Sequence, residues 1–164
     1  MARITDDEKW APVIGRLFIA FGSIELTVSE ILAAVMSSAT FRFFVTQTLE
    51  KRISVLKAVL PESNLPSGDQ KVLALNLDDV TRLADTRNLV AHNPLAMSFF
   101  DKKAEDGMTL LEEAIISYRD RTSHVKFADL MKHVGEAERL ADALSQNRMS
   151  MLQRSGKVAL MGKY

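Results

Sequence analysis

The stretch with the densest chemistry is Asp85-Thr86-Arg87-Asn88-Leu89-Val90-Ala91-His92-Asn93-Pro94. Within six residues it carries an Arg, an Asn and a His, three side chains suited to handling a phosphate. Arginine is a permanently charged fork that can hold a phosphate on two oxygens. A histidine in the last turn of a helix feels the negative end of the helix dipole, which favours its charged form. Imidazole near neutral pH suits general acid-base work. The adjacent asparagine can orient a substrate or the imidazole. Together these groups suit cleavage of RNA by its own 2′-hydroxyl, which needs proton transfer and stabilised phosphate charge but no metal and no protein nucleophile. The same residues also admit a structural arrangement, with Arg87 paired to Asp85 or another acid and His92 closing a helix.

The element that must position them is a helix from about residue 68 to His92. Ser67-Gly68-Asp69-Gln70 is a capping-box start, and Asn93-Pro94 is a stop. Leu73, Leu77, Val80, Ala84, Arg87 and Ala91 step by four and three along one side. Asp78, Thr81, Asp85, Asn88 and His92 do the same along a polar side. Arg87 and His92 are five apart, about 140° round the helix. A small substrate between them in one chain is awkward, and a second copy of the helix facing the first would bring the groups together.

The rest of the chain predicts more helices. Thr5-Asp6-Asp7-Glu8 is a capping pattern, and Pro12 suits a helix's first turn, where the helix restarts or kinks. Trp10, Ile14, Leu17, Phe21, Ile24, Val28, Ile31 and Val35, widened by Phe18 and Leu32, form a long apolar stripe to about Met36. Residues 37–40 read as a loop, and a second helix covers most of 41–60 before Pro61. Residues 95–126 break the helical period and read as a two-strand insertion. A last helix runs from about Phe127 towards residue 152. The expectation is an all-α, up-and-down four-helix bundle with a short β-hairpin or irregular insertion before the last helix. One domain spans 1–155, and 156–164 forms a basic tail.

Bulk properties narrow the function. With 47% hydrophobic and 26% charged residues among 164, the composition is globular and large enough to bury a core unaided. Cysteine is absent, so disulfides and thiolate metal sites are excluded and the cytoplasm is the natural compartment. The opening residues show no signal-peptide pattern, and no run approaches the roughly 20 apolar residues of a membrane span. Zero formal net charge argues against nonspecific coating of nucleic acid. The charge is uneven, however. Residues 41–60 carry Arg42, Lys51, Arg52 and Lys57 against Glu50 alone, and 148–164 hold no acid. Arg42, Lys51 and Arg52 are candidates for steering RNA, though scattered solvated charge reads equally well.

Arg87-Asn88-Leu89-Val90-Ala91-His92 is an Arg-x4-His motif with a polar residue after the Arg. It resembles the signature of the HEPN superfamily (higher eukaryotes and prokaryotes nucleotide-binding domains), where it stands near the end of the third bundle helix. The opening helix, Ile14 to Glu25, is similar to that of many small bacterial members. The likeness covers roughly 10–60 and 68–150. It implies a bundle of HEPN type and a homodimer whose two motifs face each other across a cleft. It also implies metal-independent endoribonuclease activity, often in toxins or defence effectors. Some members serve instead as non-catalytic interaction modules, or as partners of a nucleotidyltransferase-like antitoxin protein.

In that scheme Arg87, Asn88 and His92 are catalytic. Asp85 and Glu25 support them. Glu25 has Phe18, Phe21, Val28 and Leu32 as helical neighbours, so its carboxylate needs a partner, for which Arg87 is the choice, or reaches water at the edge of the stripe. Asp129 and His133 are four apart but lack a third ligand, so no metal is expected, and no cofactor. His124 reads as surface. The expected partners are a second copy, RNA and an antitoxin protein, with no membrane.

Overall fold

The computed structural model describes residues 6–63, 65–103, 109–120 and 122–154, with the side chains of 98–103 and 109–111 outside that description. The connection expected at 104–108 and the basic tail at 156–164 lie outside the described residues. The chain is mostly helical. Its helices are α1 (Asp7–Val35), α2 (Ser38–Phe44), α3 (Leu49–Val59), α4 (Ser67–His92) and α5 (Phe127–Arg154), and a 3-10 turn spans Leu60–Glu62. Between α4 and α5 lie three strands, β1 (Leu95–Lys103), β2 (Thr109–Ile116) and β3 (His124–Lys126), in one antiparallel sheet of order β1-β2-β3. Contacts group the chain into two compact units, one built from residues up to Phe18 and Leu83–Glu136, the other from Ile19–Arg82 and residues from Ala137 onward. Helices α1, α4 and α5 each supply a segment to both.

Local chemistry explains the helix boundaries. Asp6 caps α1 by accepting the Lys9 amide (3.1 Å). Pro12 lies inside α1, which continues through it without a break. The single second helix expected over 41–60 is instead two. Thr48 stands in extended backbone and accepts the Lys51 amide, so it starts a new helix at Leu49. Ser37 does the same for Thr40 at the start of α2, in place of the expected loop. Gln70, expected to cap its own helix, donates to the Leu65 and Ser63 carbonyls (2.9 and 3.4 Å) and fastens the preceding loop.

The α1 stripe is buried from Trp10 and Leu17 through Ile24, Val28, Ile31 and Leu32. By length and composition alone α1 would suffice to cross a membrane, contrary to the expectation that no stretch does. Two of its four carboxylates, Glu25 and Glu30, are ion-paired with Arg52 and Arg148 inside the second unit. Charges bound in this way fit a helix packed in protein better than one facing lipid. On α4 the buried row is Leu73, Leu77, Val80, Leu83 and Val90, not Ala84 and Ala91. Leu83 and Val90 bury more apolar area than alanine, so they turn the C-terminal half slightly and leave Arg87 half-buried between them.

The insertion holds one strand more than the hairpin expected. Leu95 pairs with Ile115, and Ile115 with Val125, which places these three across the sheet from one another. Ala114, Ile115 and Val125 are buried. Trp10 joins this unit to the start of α1: its indole N–H donates to Glu113 Oε2 (3.0 Å), and its ring packs edge-on against Phe127 at 5.1 Å. The Asp6 amide donates to the same carboxylate. These bonds hold Glu113 below the ordinary carboxylate pKa, the Asp6 amide contributing most, then Trp10 and the nearby Lys9 charge.

Candidate functional site

The end of α4 and the turn after β2 line an open cavity of about 450 Å³ within the first unit. Asp85, Asn88, Leu89 and His92 line it from the helix, one turn apart from each other or nearly so, and Asn93 follows. Ser117, Tyr118 and Arg119 line it from the turn. The polar side of the helix read from the sequence is therefore the wall of a real cavity, with Asp85, Asn88 and His92 on it. Asn88 and His92 are exposed on this wall.

The two walls are clamped by backbone chemistry. Asn93 donates its amide to the Leu89 carbonyl (2.8 Å) and accepts the Tyr118 N–H (3.0 Å). The Ile116 N–H donates to the Pro94 carbonyl (3.2 Å). Asn93 thus satisfies one orphan carbonyl of the helix end and fixes the turn in the same step. The turn is closed from within. The Ser117 N–H reaches the Ser123 carbonyl (2.9 Å), and Asp120 accepts from the Thr122 hydroxyl, the Ser123 hydroxyl and the Thr122 amide (2.6, 2.7 and 3.0 Å). These bonds, the Thr122 hydroxyl first, hold the Asp120 carboxyl below its usual pKa.

Arg87 does not line this cavity. Its guanidinium lies over the Phe18 ring at 5.6 Å, its Nη1 donates to Asn88 Oδ1 (3.2 Å), and its Nε is buried. The angular offset read from the sequence is thus present in the fold: His92 faces the cavity and Arg87 an adjoining side, with Asn88 touching both. Arg119 supplies a cation to the His92 side that sequence reasoning missed. It donates from Nε to the Tyr118 hydroxyl (3.1 Å) and its guanidinium lies 5.5 Å from that ring's centre.

The remaining candidates fall elsewhere. Glu25 is paired with Arg52 at 3.2 Å in the second unit. Arg52, expected to steer RNA, is 8% exposed, because its guanidinium is spent on Glu25 and on the Glu25 carbonyl and Ser29 hydroxyl. Arg42 and Lys51 remain exposed in that unit. Asp129 is bridged to Lys132 one turn on. His124 is exposed with its Nδ1 at the Thr122 carbonyl (3.0 Å). Among the described residues no three acidic or imidazole side chains cluster as a metal site would need.

Nothing in the sequence marked Tyr118 and Arg119 as site residues, because their position depends on a 25-residue return of the chain to Asn93. The available signal was the turn chemistry of Asp120, Thr122 and Ser123, which favours a tight reversal there. Comparison of the chain with models of known protein families, with curated proteins and with solved structures finds no match.

Proposed function

We propose that this chain is a metal-independent endoribonuclease of HEPN type that works as a homodimer in the cytoplasm. The observation that carries the reading is His92, exposed on the wall of a cavity at a helix end, with Asn88 on the same wall accepting a hydrogen bond from the half-buried Arg87. A structural network would instead bury both groups in mutual pairs. In the proposed reaction the substrate's 2′-hydroxyl attacks the adjacent phosphorus, and the 5′-oxygen leaves. His92 moves the proton and Arg87 meets the charge that develops on the phosphate oxygens. Asn88 orients, and Asp85 lies on the same wall. Glu25 is paired with Arg52 in the second unit and is given no step in this reaction.

The homodimer is supported by apolar surface. Ile19 and Leu26 are 73% and 61% exposed, and they lie seven residues apart on one face of α1. The test is cleavage of RNA by purified protein in excess EDTA, with Arg87→Ala and His92→Ala at matched folding. Cutting lost in both variants is the expected result. Cutting retained in both, or absent from the wild type on total RNA, would leave the non-catalytic interaction module as the better reading.

A further inference from the structure

We propose that Tyr118 and Arg119 form a nucleotide-binding wall for single-stranded RNA opposite His92, the ring stacking a base and the guanidinium holding a backbone phosphate. This deepens the ribonuclease reading and rests on it. Tyr118 is 64% exposed, a large aromatic surface left in water at the edge of this cavity. Its backbone is not free to drift, because its N–H is fixed to Asn93 at the end of the His92 helix. Arg119 is exposed and braced on the tyrosine by its Nε, so the two side chains present one preformed surface. A base has a π-face whatever its sequence, and arginine can ride on the same stack. Single-stranded RNA is recognised in this way, by aromatic and guanidinium planes, where a duplex would offer no free base. The wall also supplies what the cavity lacks on its helix side, which carries Asp85 but no lysine or arginine. With a base on Tyr118 and its phosphate on Arg119, the neighbouring sugar-phosphate lies towards His92 and Asn88.

The experiment uses the full chain and a fluorescein-labelled ten-nucleotide single-stranded RNA of mixed sequence, in EDTA. Binding is read by anisotropy in a His92→Ala background that does not cut. Tyr118→Ala is expected to raise Kd about tenfold, and Tyr118→Phe to raise it less, since the ring that stacks is kept and only the brace on Arg119 is lost. Arg119→Gln is expected to weaken binding and lower the salt slope by about one phosphate contact. Both side chains are exposed, so matched melting temperatures confirm that the variants fold. Wild-type Kd and slope in Tyr118→Ala and Arg119→Gln would overturn the wall. Combined with loss of cutting in His92→Ala, that result would sink this inference and leave the ribonuclease standing. Weakened binding in both variants of a chain that never cuts would support the wall and sink the ribonuclease. A chain that neither binds nor cuts RNA would end both.

Discussion

Three arginines on this chain have three different employments. Arg87 is braced on Phe18 and Asn88, Arg52 is consumed by Glu25 and Ser29, and Arg119 leans on Tyr118 over an open cavity. Their substitutions separate accordingly. Arg87→Lys keeps the charge but loses the planar fork, so cleavage is expected to stay within about tenfold of the Arg87→Ala level, checked by initial rates. Arg52→Gln is expected to cost about 1–3 kcal/mol of stability by urea denaturation while leaving the salt dependence of RNA binding unchanged. Arg42→Gln with Lys51→Gln should do the reverse. Glu113 gives a pH prediction. Its pKa is held down in the folded chain, so its contribution is present above the unfolded value and is lost as pH falls through the folded one. Glu113→Gln should therefore melt lower than wild type at neutral pH, and the gap should close in acid, as read by thermal scans. The motif itself was legible, since residue types and a spacing of five are local facts. Arg119 was not, because its role depends on which helix end the turn meets.

At the scale of elements, the decisive part is the clamp between α4 and the turn after β2. Asn93→Ala removes two hydrogen bonds at a half-buried position. It is expected to cost about 1–2 kcal/mol, to speed amide exchange at Tyr118, and to slow cleavage even where the protein remains folded. Unaltered exchange at Tyr118 would mean the turn holds itself. The long helices could be read from their apolar periods and from Asn93-Pro94, because burial on one face and a stop are written in consecutive residues. Elsewhere the signals were weaker. The break between α2 and α3 rests on Thr48 taking one amide, a local choice that the apolar residues on either side conceal. Strand β3 has three residues, too few for any period, and exists because β2 offers it an edge. The turn of α4 towards Leu83 and Val90 was decided by side-chain size, which a stripe of apolar letters treats as equal.

For the whole molecule the question is how Arg87 and His92 meet. If each serves the other chain's site, mixing Arg87→Ala protein with His92→Ala protein restores cleavage, because a mixed dimer keeps one intact pair. No recovery would mean that both groups act within one chain. Ile19→Arg with Leu26→Arg is expected to give monomers in sedimentation and to abolish cleavage, since charge on that face opposes apolar association. The order of synthesis gives the Asn93–Tyr118 clamp another meaning. His92 and Asn88 emerge before the wall that faces them, and Glu113 must travel back across 103 residues to find Trp10. A growing chain therefore carries the whole motif with no cavity to use it in. On the proposed ribonuclease reading, that delay would spare the chain's own messenger and ribosome: the cavity forms only after most of the chain has been made.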